Sequence, residues 1–121
     1  MQNGPTQSGR FAKARLDSMN LLFICSRNQW RSPTAEAIFK NHPQHKARSA
    51  GTSSKARIVV KEAMIRWADL IFVMEKRHRQ LLLDRFEIDK KIIVLNIPDE
   101  YQFMDAELIE MITASVAPHL P

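Results

Sequence analysis

Hydrophobic runs of strand length alternate along this chain with segments whose apolar residues recur every three or four positions. The predicted strands cover 20–25, 46–51, 69–74 and 91–96, and the predicted helices cover 32–41, 56–68, 75–86 and 105–120. The first run, NLLFIC, is continuously apolar after its asparagine, which is typical of a strand covered on both faces. Strands separated by helices predict an α/β fold, an open parallel sheet of about four strands with helices on both faces.

Residues 1–18 stand apart because they are polar and carry no apolar period. We expect a disordered N-terminal extension there, followed by a single domain over 19–121. The extension lacks the apolar core of a secretory signal, and no run approaches the roughly 18 apolar residues of a membrane span. The formal net charge of +5 is mild, and basic and aromatic residues do not interleave, so a nucleic-acid partner is not favoured. The oligomeric state stays open.

The single cysteine, Cys25, closes the first predicted strand. It has no partner for an internal disulfide, which favours a reducing, cytoplasmic setting. Its position allows two interpretations. A cysteine that ends an apolar strand is often plain packing, whereas ligands of open parallel sheets bind beyond the carboxyl ends of the strands.

The residues that follow Cys25 favour a chemical role. A strand-to-helix turn directs backbone N–H groups and the positive helix end towards its centre, where they stabilise a thiolate and bind a tetrahedral oxyanion. Arg31, six positions on, adds a planar fork suited to two phosphate oxygens, and Ser32 can donate a hydrogen bond to the sulfur. Pro33 fits the first turn of the helix, where its missing N–H has no cost.

The pattern Cys25-x5-Arg31-Ser32 at this junction resembles the low-molecular-weight protein tyrosine phosphatases. RSAGT (48–52), WADLIFVM (67–74) and PDEY (98–101) resemble later segments of that family in the same order. The resemblance implies that Cys25 is the nucleophile, that Arg31 binds phosphate and that Asp99 is the general acid. It also implies a phosphate-binding loop made of Ser26, Arg27, Asn28, Gln29, Trp30, Arg31 and Ser32, and supporting roles for Ser32, Asn28, Ser49 and Tyr101.

Several positions depart from the family pattern. The family usually has glycine at the place of Arg27, where a left-handed backbone would strain an arginine. Glu100 replaces the proline that normally follows the general acid, which makes Glu100 a rival for that role. Only SSKAR (53–57) separates RSAGT from the next predicted helix, where the family has a longer segment with aromatic residues. We therefore expect a shallower, more open site.

The function that these residues predict is metal-free hydrolysis of a phosphomonoester, a tyrosine or aryl phosphate, through a cysteinyl-phosphate intermediate and without a cofactor. The substrate would be a phosphorylated small molecule or a phosphoprotein. One alternative is a non-catalytic phosphate-binding or interaction module. Another is an arsenate reductase that uses an external small thiol, since a relay among the chain's own thiols would need more than one cysteine.

The remaining candidates have plainer interpretations. His42 and His45 flank a proline turn without a thiol or carboxylate beside them, and we expect them to be exposed rather than metal ligands. The basic run KRHR (76–79) predicts a solvated helix face, and the spacing of Trp67 predicts a core residue. Trp30, inside the loop, should lie at the mouth of the pocket, either to stack on an aromatic leaving group or to pack against a neighbouring loop.

Overall fold

The computed structural model describes residues 18–121, so the predicted extension over 1–18 lies outside the described residues apart from Ser18. The strands are β1 (Asn20–Cys25), β2 (Lys46–Gly51), β3 (Leu70–Val73) and β4 (Ile92–Val94). The helices are α1 (Arg31–Phe39), α2 (Glu62–Trp67), α3 (Lys76–Arg85) and α4 (Ala106–Val116), and a 3₁₀ turn (Ala117–His119) follows α4. In residues 18–121, no helix is long and apolar enough to cross a membrane.

The four strands form one parallel sheet in the order β2-β1-β3-β4. Helices cover both faces, because alternate residues of β1 enter two separate cores. Phe23 packs with α1 and α4 on one face, where its ring stacks between Phe39 and Phe72 at centroid distances of 5.6 and 5.2 Å. Ile24 packs with α2 and α3 on the other face. The predicted α/β fold with helices on both faces is confirmed.

The prediction of a helix over 56–68 is wrong in its first half. Helix α2 begins only at Glu62, and the preceding residues continue the sheet edge, where Val59 forms a parallel bridge with Gly51. The bonds are Gly51 N–H to Ile58 O at 2.8 Å and Val60 N–H to Gly51 O at 2.9 Å. Three successive β-branched residues, 58–60, favour this extended backbone over a helix.

Smaller corrections apply to the other ends. Strand β4 is only three residues long, and the chain turns at Asn96, whose φ is 57°. Helix α4 ends at Val116, and Pro118 lies in the following 3₁₀ turn, as expected of a residue that cannot continue an α-helix. The histidine at position 45 is buried rather than exposed, because its Nδ1 accepts a hydrogen bond from the backbone N–H of Met19 at 3.0 Å.

Candidate active site

The loop over residues 26–30 connects the end of β1 to the start of α1 at the carboxyl edge of the sheet. Cys25, at the base of this loop, is buried and lines a small cavity of about 50 Å³. The cavity is lined by Cys25, Ser26, Arg27, Gln29, Trp30, Arg31 and Asp99. Residues predicted from two separate segments, the loop and PDEY, therefore meet around the thiol.

The carbonyl groups of the loop point away from this cavity, because the segment after β2 donates hydrogen bonds to them. The bonds are Thr52 N–H to Cys25 O at 3.0 Å, Ser53 N–H to Ser26 O at 2.9 Å, Arg57 N–H to Arg27 O at 3.0 Å and Arg57 Nε–H to Asn28 O at 3.1 Å. Within a trans peptide the N–H points opposite to the C=O, so the next N–H groups turn towards the cavity. No backbone N–H of residues 26–30 finds an acceptor in residues 18–121. Such a ring of unpaired donors is a nest for an oxyanion.

Gly51 is required for the close approach of the loop to β2. A Cβ at this position would lie 2.5 Å from Ser26 O, 2.6 Å from Ala56 Cβ and 3.1 Å from Asn28 N. The first of these atoms belongs to the backbone of the loop, so it could not move without moving the loop. Glycine here is a requirement of space, since its φ is not positive.

Asn28 takes the strained backbone position of the loop, with φ of 56°, so the strain expected at Arg27 does not arise. Its buried Nδ2 group donates to Ser32 Oγ and to Ser49 Oγ, both at 2.9 Å. Ser32 Oγ lies 2.9 Å from Cys25 Sγ. Because Ser32 accepts from Asn28, its own hydroxyl hydrogen can go to the sulfur or to Ala50 O, which lies farther away at 3.4 Å. The shorter contact favours the sulfur, and a hydrogen bond to sulfur stabilises a thiolate. Asn28 Oδ1 has no partner within the described residues.

Arg31 is held by groups that the sequence did not assign to the site. Its side chain is 2% exposed, and Nη1 donates to Ile97 O at 2.7 Å and to Glu75 Oε2 at 2.5 Å. Glu75 lies two residues after the end of β3, as the N-cap of α3, and also pairs with Arg77. The hydrogen bond from Arg77, with the further contribution of Arg31, lowers the pKa of Glu75 to about 2. An acid at the carboxyl end of a buried strand was the signal that could have identified Glu75.

The loop PDEY brings one carboxylate to the cavity. Asp99 Oδ1 lies 3.6 Å from Arg31 Nε, and the Asp99 side chain is 53% exposed. Glu100 is exposed and does not line the cavity. Tyr101 does not line it either, because its hydroxyl donates to Glu107 Oε2 at 3.0 Å. The geometry thus favours Asp99 over Glu100 and leaves Tyr101 without the contact that its predicted supporting role needs.

The prediction of a solvated face for KRHR (76–79) is wrong at His78, which is fully buried in the first turn of α3. Its Nε2 lies 2.9 Å from Ser26 Oγ. Burial, with the nearby charges of Arg31 and Arg77, lowers the pKa of His78 to about 4. The sequence held one signal for this position: His78 precedes the buried Leu82 by four residues and so shares its helix face.

Side chains of the loop itself form part of the rim of the cavity. They are Arg27, Gln29 and Trp30, which all line the cavity and are all exposed. Trp30 is 43% exposed, so its ring lies at the mouth, as predicted, and is open to solvent.

Comparison with known proteins agrees with this geometry. Residues 20–66 match the family model of the low molecular weight phosphotyrosine protein phosphatases. A low-molecular-weight phosphotyrosine phosphatase from Vibrio cholerae O395 is 20% identical, with a TM-score of 0.66 over 84% of this chain and 95% of that one. The tyrosine phosphatase Wzb from Escherichia coli K30, solved with phosphate, is 23% identical, with a TM-score of 0.67 over 85% and 95%.

The YwlE arginine phosphatase from Geobacillus stearothermophilus is also similar, at 24% identity and a TM-score of 0.58 over 83% of this chain and 84% of that one. Curated proteins give no match. At these identities the solved structures show a shared fold, and the family model supplies the sequence relationship over the loop and its surroundings. The resemblance predicted from the sequence is therefore confirmed.

Proposed function

We propose that this chain is a member of the low molecular weight phosphotyrosine protein phosphatase family, whose model matches residues 20–66, and that it hydrolyses phosphomonoesters with Cys25 as the nucleophile. The observation that carries the proposal is the loop around Cys25, in which the carbonyls of residues 25–28 accept bonds from the segment after β2 and the N–H groups of residues 26–30 find no acceptor within residues 18–121. A loop built only for packing would satisfy these donors internally. Here they surround a thiol, beside a guanidinium held in place by two acceptors.

In the first step the Cys25 sulfur attacks phosphorus while the bond from phosphorus to the leaving oxygen breaks. The loop N–H groups and Arg31 bind the three equatorial oxygens, over which charge spreads in the transition state. Asp99 donates its proton to the leaving oxygen, so the alcohol or phenol departs neutral. Ser32 stabilises the thiolate before the attack, through its contact of 2.9 Å with the sulfur.

In the second step water hydrolyses the cysteinyl-phosphate. The Asp99 carboxylate, now deprotonated, accepts a proton from the water as its oxygen bonds to phosphorus. The bond between sulfur and phosphorus breaks, the Cys25 thiolate returns and inorganic phosphate leaves. The positive charge that this chemistry needs comes from Arg31 and the loop amides, so the route we propose uses no metal.

The exposed rim supports an aryl phosphate as the substrate. Trp30 offers a ring at the mouth of the cavity, on which an aromatic leaving group can stack. Arg27, on the same rim, would attract an acidic group near the phosphate. The solved relatives are named as tyrosine phosphatases and as an arginine phosphatase, so the substrate panel should include phosphotyrosine and phosphoarginine peptides. The proposed setting is the cytoplasm, where the thiol stays reduced.

The test is hydrolysis of para-nitrophenyl phosphate and phenyl phosphate, with EDTA present throughout. Cys25→Ser should abolish turnover of both substrates. Asp99→Asn should slow phenyl phosphate by about 10²–10⁴-fold and para-nitrophenyl phosphate much less, because nitrophenolate leaves without a proton. Glu100→Gln is the matched control and should change neither rate.

The outcomes separate the alternatives. If Cys25→Ser retains the wild-type rate, the proposal is wrong. If the wild type binds phosphate but hydrolyses neither substrate, the chain is a phosphate-binding module. If Glu100→Gln rather than Asp99→Asn shows the dependence on the leaving group, the general acid is Glu100.

A further inference from the structure

His78 links the loop to the first turn of α3 through both of its ring nitrogens. The backbone N–H of Glu75 lies 3.1 Å from Nδ1, and Ser26 Oγ lies 2.9 Å from Nε2. The side chain of His78 is fully buried, whereas Ser26 and Glu75 are half-buried. Residues at the start of α3 therefore contact the loop and the first residue of α1, since His78 bonds to Ser26 and Glu75 bonds to Arg31.

The first of these contacts fixes the tautomer of His78. A backbone N–H can only donate, so Nδ1 must be the acceptor and carry no hydrogen. In a neutral imidazole the hydrogen then sits on Nε2, which donates it to Ser26 Oγ. Ser26 is thereby the acceptor in this pair, and its own hydroxyl hydrogen is left over. No second hydrogen-bond partner of this hydroxyl is present in residues 18–121.

We propose that the Ser26 hydroxyl is an additional donor to the bound phosphoryl group and that His78 is the positioning residue that orients it. Ser26 lines the cavity above Cys25, and a phosphoryl oxygen is the acceptor that this cavity would bring to it. A donor fixed before the substrate arrives loses little freedom on binding, and a bond to an anionic oxygen is among the stronger ones. The inference rests on the proposed function.

A proton-transfer role for His78 fits the surroundings less well. The charged groups that act on it are Arg31 and Arg77, which oppose a positive ring, and Glu75 and Asp99, which favour one. Protonation would also place a hydrogen on Nδ1, facing the Glu75 N–H, so two donors would meet at 3.1 Å. The neutral tautomer is the one that the contacts accommodate, and its role is orientation.

The test starts with Ser26→Ala, which removes the donor, and Ser26→Thr, which keeps a hydroxyl. The inhibition constant of inorganic phosphate and the values of kcat and KM for para-nitrophenyl phosphate are measured for both. Ser26→Ala should raise the phosphate inhibition constant about tenfold or more, as expected for a bond to a charged group, and Ser26→Thr should restore most of the affinity. A Ser26→Ala inhibition constant within about twofold of wild type would overturn the proposal, as would equal losses in both variants.

His78→Phe, alone and combined with Ser26→Ala, tests whether His78 acts through Ser26. The double variant should lose no more phosphate affinity than the larger single loss, because both changes remove the same oriented donor. His78→Gln, which can donate from a similar place, should recover part of the loss. Additive losses would show that His78 does not act through Ser26. If His78→Phe does not fold, the comparison of Ser26→Ala with Ser26→Thr decides the proposal.

His45→Phe is the matched control, because His45 is also buried and also accepts a backbone N–H at Nδ1. It lies just before β2 and away from the loop, so its loss should lower stability without changing the phosphate inhibition constant. A wild type that hydrolyses substrate while Ser26→Ala binds phosphate equally well would refute this inference alone. A wild type that neither binds phosphate nor hydrolyses substrate would refute the proposed function as well.

Discussion

Mild acid should destabilise this protein through His78. Burial and the charges of Arg31 and Arg77 lower its pKa from the ordinary 6.5 to about 4 in the folded chain. The unfolded chain therefore takes up the proton first as the pH falls. The contribution of His78 to stability is fully present above pH 6.5 and is lost progressively as the pH falls towards 4.

The size of the effect follows from that interval. Each unit of pKa is worth about 1.4 kcal/mol, so the full interval from 6.5 to about 4 corresponds to about 3 kcal/mol. Roughly 2 kcal/mol of this should already be lost at pH 5. Domains of this size have unfolding free energies of about 5–15 kcal/mol, so the loss is large enough to measure. Glu75 acts in a lower window, between 4.5 and about 2, because its folded pKa is depressed.

Urea unfolding followed by circular dichroism at pH 7 and at pH 5 measures the difference. Wild type should lose about 2 kcal/mol of unfolding free energy between the two, and His78→Gln, which does not titrate, should lose much less. His45→Gln measures the share of the second buried histidine, whose pKa is lowered by burial and by His42. If His78→Gln keeps the full dependence on pH, the assignment of the acid sensitivity to His78 is refuted.

Three further substitutions test the supports of the loop and of the sheet. Gly51→Ala places a Cβ 2.5 Å from Ser26 O. It should therefore lower the free energy of unfolding in urea by about 1–3 kcal/mol and lower kcat/KM at least about tenfold. Wild-type kinetics would show that the loop can move aside. Glu75→Gln removes the charged partner of Arg31 and should weaken inhibition by phosphate in a competition assay, whereas an unchanged inhibition constant would show that Ile97 O alone holds Arg31. Lys90→Met removes three hydrogen bonds from Nζ to carbonyls at the end of α2. It should lower the urea midpoint by an amount equivalent to about 1–3 kcal/mol of unfolding free energy without changing kcat/KM. An unchanged midpoint would mean that water replaces the ammonium group.

The features that the sequence predicted well are local ones. NLLFIC is apolar on both faces, and the strand it predicts, with the same bounds, separates the two cores. Cys25 and Arg31 are joined by a short loop, so their proximity could be predicted from this segment alone. The order of strands and helices fixed the carboxyl edge of the sheet, and Asp99 came to that edge because it follows β4.

The features that the sequence could not predict depend on partners far away along the chain. His78 and Ser26 are 52 residues apart, and the charge of the neighbouring residues in KRHR concealed the one position that turns inwards. His45 is buried because the backbone of Met19, 26 residues earlier, provides a donor. The polar residues beside a histidine do not indicate whether a distant hydrogen-bond partner will bury it. The polar surroundings of His45 and His78 therefore predicted, wrongly, that both side chains are exposed.

The short segment between β2 and α2 has a structural role that its length alone did not predict. The short length of SSKAR (53–57) predicted the loss of a wall and a more open site. Ser53 and Arg57 instead donate hydrogen bonds to loop carbonyls, which therefore point outwards. The N–H of Gly51 donates to Ile58 O in the extended backbone that follows. A longer, looped-out segment would not need to follow the back of the loop so closely. The short segment therefore accompanies a loop whose backbone is held from behind, and under the proposed function we expect discrimination among substrates to depend on the exposed side chains of the loop, above all Trp30.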